Sequence, residues 1–318
     1  MEYSIAERKP GVWFVDLKVG GEREYTGAYI VATGNEVAFV EVGPSTTADS
    51  MLKALDEIGY RPENVKYLLP THVHLDHAGA AGALVKHLPS AYVISHKRAV
   101  PHMVDPESTL WRAANKVLGF VAEIYGKPEP VPPEKIIPVE DEIGIYVGKL
   151  HLKIISTPGH ASHHLSVFLL QHSIVFTGDA AGIYVPSLDV VLPATPPPFR
   201  LGQALRSIEA MISLGPKLVA YTHFDLSADG ERNLKKHYYQ LIHWYETAKK
   251  AVTNGMNDPD DFFDLIAERD YDLKKFLLNS HNLDGLRRGV ETSLRGFMLM
   301  VEEERTEGQA LERQVESS

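Results

Sequence analysis

Thr71-His72-Val73-His74-Leu75-Asp76-His77 places three histidines and an aspartate within six residues. A packed core has little use for that density. Neutral imidazole and carboxylate are both good metal ligands, so the stretch reads as part of a metal site. Upstream, residues 65–69 (Val-Lys-Tyr-Leu-Leu) read as a buried strand. Downstream, residues 77–87 carry Ala, Leu and Val at helical spacing, with Asp76 positioned to cap the helix start. The ligands then sit on a turn between strand and helix, where open α/β sheets commonly build sites. A solvated, His-rich turn is the competing reading, and it leaves the tight spacing unexplained.

Composition narrows the function classes. The 318 residues suffice for one large domain or two moderate ones, and 44% hydrophobic with 23% charged residues is ordinary for a globular chain. The formal net charge is −10 with no Lys/Arg run, which disfavours broad nucleic-acid or anionic-membrane binding. The absence of cysteine rules out disulfides and thiolate ligands. Residues 1–11 are polar, unlike a signal peptide, and no apolar run reaches membrane-spanning length. The expectation is a cytoplasmic protein acting on a small molecule, with a homodimer as one option.

Taken in order, residues 13–17, 25–32 and 36–42 read as neighbouring strands, followed by a helix through Ile58 with Met51, Leu52 and Leu55 on its apolar face. Residues 91–95 form another strand. Residues 97–135 break the rhythm as a helical insert, with one helix over 108–125 that ends at Gly126. Strands over 143–147, 150–156, 165–170 and 174–177 follow, then a proline-rich loop over 185–199, a helix over 201–214 and a strand over 218–221. The β-then-α order occurs twice, which predicts two sheets packed between helices. Residues 1–226 read as the catalytic domain and 227–318 as a C-terminal helical region. Asp258-Pro259 marks a helix start, a last helix covers about 284–304, and 305–318 read as frayed.

Three more segments resemble the first: Thr157-Pro158-Gly159-His160, Thr177-Gly178-Asp179 and Thr222-His223 each follow a predicted strand. Alone, each is a turn aspartate or a packed histidine. Together they place candidate ligands at four strand ends. The order HxHxDH, His, Asp, His resembles the metallo-β-lactamase superfamily, over residues 12–223. That resemblance implies an α+β, four-layer αββα sandwich with a metal site along one edge of the sheets. It implies that His72, His74 and His160 hold one ion, that Asp76, His77 and His223 hold a second, and that Asp179 bridges both. With no cysteine, the chain is similar to the glyoxalase II and lactonase branch rather than to thiolate-using β-lactamases. After His160 it reads Ala161-Ser162-His163-His164, which leaves the substrate subgroup open.

The implied chemistry is hydrolysis of a small thioester or lactone. Divalent cations lower the pKa of water from ~15.7 toward ~7 and polarise a carbonyl, so no serine or cysteine nucleophile is needed. Nitrogen and oxygen ligands suit two zinc ions first, with iron or manganese as alternatives. Asp76 is expected to orient water and carry a proton besides ligating. Tyr184, five residues past Asp179, is a candidate oxyanion donor, against a packed loop tyrosine. The apolar loop 185–199 is expected to wall the substrate pocket. Thr71 and Thr222 are expected to support ligands, and at most one of His163 and His164 to face the site. His87, His102, His151, His237, His243 and His281 read as structural or exposed. A mononuclear iron persulfide dioxygenase is the alternative reading, and a metal-dependent nuclease a third, disfavoured by the acidic balance.

Overall fold

Residues 2–256, 259–279 and 284–316 are described by a computed structural model. The first sheet contains β1 (Ser4–Lys9), β2 (Val12–Asp16), β3 (Gly27–Thr33), β4 (Glu36–Val40), β5 (Val65–Leu69), β6 (Tyr92–His96) and β7 (Ile136–Val139), in that order. It is antiparallel from β1 to β4 and parallel from β4 to β7. The helices between its strands are α1 (Ala48–Glu57), α2 (Leu75–Ala78), α3 (Ala81–His87), α4 (Val100–Val104), α5 (Arg112–Leu118) and α6 (Phe120–Tyr125). The second half supplies β8 (Glu142–Val147), β9 (Leu150–Ser156), β10 (Leu165–Leu169) and β11 (Ile174–Gly178), then a separate hairpin of β12 (Ile183–Val185) and β13 (Val190–Leu192). After α7 (Leu201–Ser213) come β14 (Leu218–Tyr221) and β15 (Asp225–Ala228), and the second sheet runs β15-β14-β11-β10-β9-β8. The chain continues through α8 (Gly230–Thr253), α9 (Pro259–Ala267), α10 (Tyr271–Asn279) and α11 (Asp284–Glu316).

Period-two alternation builds the layers. On β3, Tyr29 and Val31 face the second sheet, while Ala28, Ile30 and Ala32 face α1 and α3. On β11, Ile174 and Phe176 face the first sheet and Val175 faces outward. Four layers have three interfaces, and the buried apolar side chains fall into three clusters, one for each. The helices from α7 to α11 share one cluster with the outer face of the second sheet. Its largest member, Trp244, is fully buried and donates Nε1–H to Asp270 at 2.6 Å. Truncating such a side chain to alanine costs about 3–5 kcal/mol. The architecture is the expected αββα sandwich with added C-terminal helices.

Local differences have local causes. Strand β7 contains Pro138, which a central strand would exclude; it lies at the sheet edge, where a missing donor is tolerated. Strand β1 is largely exposed and β15 is only four residues long, and both also occupy edges. The expected helix over 108–125 is interrupted at Gly119, where φ is +55°, so α5 and α6 are separate. Asp76 lies inside the first turn of α2, with His74 at the cap position, so its carboxylate is free for the site. The last helix continues to Glu316 rather than ending near 304. Asp258, His281 and the Leu286 side chain lie outside the described residues.

Candidate metal centre

Four strand ends deliver the residues named in the sequence. β5 leads into 71–77, β9 into His160, β11 into Asp179 and β14 into His223. The approach between them is close. A Cβ on Gly178, where φ is +50°, would strike Thr71 Oγ1 and His164 Nε2, so glycine is what lets β11 turn against the first motif.

Two groups result: His72, His74, His160 and Asp179, and Asp76, His77 and His223. In the first, His72 Nε2 and His74 Nδ1 are 2.8 Å apart, and His160 Nε2 and His74 Nδ1 3.1 Å. In the second, His77 Nε2 and His223 Nε2 are 3.3 Å apart, and Asp76 Oδ2 lies 3.4 Å from His223 Nε2. Asp179 divides its carboxylate between them. Oδ2 is 3.3 Å from His160 Nε2, and Oδ1 is 3.4 Å from His77 Nε2.

The outer ring nitrogens decide which way the lone pairs point. His160 Nδ1 meets the Ala194 carbonyl at 2.8 Å and His223 Nδ1 meets the Tyr25 carbonyl at 2.6 Å. A carbonyl only accepts, so both rings carry hydrogen on Nδ1. His77 Nδ1 likewise donates to Glu41 Oε1 at 2.9 Å. Thr71 Oγ1 donates to Glu41 at 2.6 Å, which leaves it to accept from His72 Nδ1 at 3.0 Å. When neutral, these four imidazoles aim bare Nε2 lone pairs at the centre, and Asp179 Oδ1 is buried there without a hydrogen-bond partner. Facing lone pairs repel unless a cation lies between them. Two ligands at 2.0–2.1 Å from one tetrahedral ion are roughly 3.3 Å apart. The donor set and its spacing fit divalent metal.

Electrostatics agree with that fit. Burial, then neighbouring imidazoles, hold His72 well below the usual range, and burial takes His74 down to about 3. Burial would also lower His77, but Asp179, Glu41 and Asp76 together hold it well above the usual value. Burial would raise Asp76 and Asp179, yet the surrounding histidines bring Asp76 to about 2 and Asp179 well below the ordinary carboxylate range. Burial would lower His223 as well, but Asp76 and Asp179 hold it above the usual value.

Among the supporting residues, His164 is fully buried. It accepts from the Asp179 backbone N–H at 3.3 Å, and its Nδ1 meets Thr157 Oγ1 at 2.8 Å. His163 points instead toward His102, with ring centroids 5.9 Å apart. Glu41 is a site residue that motif spacing misses. It is 1% exposed and accepts from Thr71 N, Thr71 Oγ1, Thr222 Oγ1 and His77 Nδ1. An acidic residue closing the apolar run Val37-Ala38-Phe39-Val40 was the available signal. Tyr184 is a correction. Its backbone N–H donates to the His223 carbonyl, but its hydroxyl donates to Asp189 at 3.0 Å and its ring stacks on Tyr221, so the phenol is engaged there and not among the ligands. In the loop 185–199, Ala194, Thr195 and Phe199 line a small cavity together with His160 and Asp179. Val185, Val190, Val191, Leu192 and Phe199 are buried in the core shared with the C-terminal helices, and Ala194 supports a ligand.

A two-sheet sandwich carrying this ligand order defines a known class, and the Metallo-beta-lactamase superfamily model matches residues 22–223. The chain belongs to that superfamily. It is 32% identical over 182 residues to the metallo-beta-lactamase fold-containing protein ST1585 of Sulfurisphaera tokodaii, covering 57% of this chain and 67% of that protein. It is 31% identical over 127 residues to the N-acyl homoserine lactonase AttM of Rhizobium radiobacter, covering 39% of this chain and 44% of that one, less than half the relative's length. The structure of the metallo-beta-lactamase family protein TTHA1429 from Thermus thermophilus superposes with a TM-score of 0.64 at 20% identity, covering 94% of this chain and 95% of that chain. Among the described residues, no helix is long and apolar enough to cross a membrane.

Proposed function

We propose that the protein is a binuclear metal-dependent hydrolase of a small ester-like bond, a lactone or thioester. The observation that carries this reading is the Asp179 carboxylate, whose two oxygens each face a different ligand group at 3.3–3.4 Å. His72, His74 and His160 would hold one cation and Asp76, His77 and His223 the other. Cations bound there supply Lewis acidity and lower the pKa of water to ~7. The chain's own part is to hold neutral, correctly tautomerised imidazoles and two ionised carboxylates in place before substrate arrives. Asp76, partly open to solvent with its pKa held near 2, is ionised at neutral pH and can accept a hydrogen bond from the attacking water. The likeness to a lactonase supports lactones as the first substrates to try.

Metal analysis of protein purified without oxygen, followed by assays on lactones, thioesters, phosphodiesters and persulfides, tests the proposal. Two zinc per chain with lactone or thioester turnover is the expected result. One iron per chain with oxygen uptake on a persulfide would replace this reading with the dioxygenase one.

A further inference from the structure

One pair of hydroxyls beside the second ligand group has no part in the chemistry described so far. Tyr25 Oη and Tyr125 Oη are 2.9 Å apart. The pair owns two hydrogens, and one is spent between the two oxygens. Among the described residues, neither oxygen has another hydrogen-bond partner, so one O–H remains to be donated.

The pair's place follows from its anchors. The Tyr25 carbonyl accepts from His223 Nδ1 at 2.6 Å, and the Tyr25 and His223 rings are 5.9 Å apart. Tyr125 is 4% exposed and ends α6, which packs against α2, the helix carrying Asp76 and His77. That end of the insert is fixed. Thr46 Oγ1 donates to the Ile124 carbonyl at 2.9 Å, and a Cβ on Gly126, where φ is +77°, would come within 2.9 Å of Thr46. A phenol ordinarily titrates near ~10, so both are protonated donors at neutral pH.

We propose that the Tyr25–Tyr125 pair donates its remaining O–H to an oxygen of the substrate on the second-ion side of the site. This assignment rests on the hydrolase reading for its substrate. As water adds to the carbonyl carbon and yields a proton to the Asp76 carboxylate, the π pair of the C=O bond moves onto oxygen, and that oxygen accepts a hydrogen bond from the phenol. The O–H bond stays intact, so no proton or electron leaves the tyrosine. The donor is held before the charge develops, which is the condition for useful stabilisation. The insert over 97–135 thereby contributes a functional group to the site.

The test uses zinc-loaded protein with Tyr25→Phe, Tyr125→Phe and the double variant. The first readout is binding of methylphosphonate, a tetrahedral oxyanion, by calorimetry at matched zinc content. Losing a hydrogen bond to an anionic oxygen should weaken binding roughly 10–100-fold in at least one single variant. The second readout is lactone turnover. There kcat should fall ~100-fold or more, with KM within about threefold. The double variant should match the worse single one. Binding of methylphosphonate within twofold of wild type in all three variants would overturn the assignment, as would failure of the wild type to bind it. If binding weakens while the wild type turns over no ester, the hydrolase reading fails and the donor assignment survives.

Discussion

Replacing Glu41 by glutamine tests whether the centre is held from behind. In the structure Oε1 accepts from Thr71 Oγ1 at 2.6 Å, His77 Nδ1 at 2.9 Å and Thr222 Oγ1 at 3.0 Å, and Oε2 accepts from Thr71 N at 3.1 Å. These bonds tie the ends of β4, β5 and β14 together. Glutamine keeps one acceptor oxygen and puts an NH₂ where the other stood. With Oε1 retained, the Thr71 N–H then faces another donor in a buried place, at a cost of about 1–3 kcal/mol, and the three remaining bonds lose their charge assistance. We expect E41Q to lower stability by about 2–4 kcal/mol in denaturant unfolding of the metal-free protein. His77 depends on Glu41 for its tautomer and Asp76 does not, so the second ion should suffer most. Loss of such a partner typically lowers metal affinity ~10–100-fold. Competition with a chromophoric chelator should show one weakened and one nearly normal zinc. Two zinc ions bound with wild-type affinity would refute the role assigned to Glu41.

Asp179→Ala removes the one carboxylate shared by both groups and should reduce zinc below two per chain and turnover by ~100-fold or more, measured by elemental analysis and ester assay. Full activity would contradict the shared role. Gly178→Ala should cost about 2–4 kcal/mol and loosen both ions, because the new methyl meets Thr71 and His164 where the backbone is already left-handed; unfolding and zinc content together check it. Metal-free protein should lose stability as pH falls from 6.5 to 4. Burial holds His74 near 3 and His163 and His237 near 4. Each is neutral when folded and protonates when unfolded, so its contribution is complete above 6.5 and declines below it by up to about 1.4 kcal/mol per pH unit. His77 and His223 have the opposite sign: raised when folded, they contribute fully below 6.5 and lose that contribution as pH rises through their folded pKa. A flat stability profile from pH 6.5 to 4 would be inconsistent with buried neutral histidines.

Much of the sandwich was legible because strand alternation is a local property. The strands at 65–69, 150–156 and 218–221 match their sequence boundaries, since each is an apolar run with clear ends. The unpredicted strands β1, β7 and β15 are all at sheet edges, where one side of the ladder is unpaired and the hydrophobic demand is weaker. The hairpin β12–β13 was hidden by flanking prolines. Tyr184 misled because proximity in sequence to Asp179 does not say where a side chain points, and Asp189 claims its hydroxyl.

By itself, the sequence determined the ligand types and their order, because metal chemistry restricts the choice to a few residues and each follows a recognisable strand. It also determined the two β-then-α halves, because periodicity needs only near neighbours. The tertiary structure alone decided how Asp179 shares its oxygens, which ring nitrogens carry hydrogen, and that Glu41, Tyr25 and Tyr125 belong to the site. Those facts depend on contacts between segments up to about two hundred residues apart, such as Tyr25 with His223. Hydrogen-bond geometry acts over about 3 Å of space, and spacing along the chain carries no record of it.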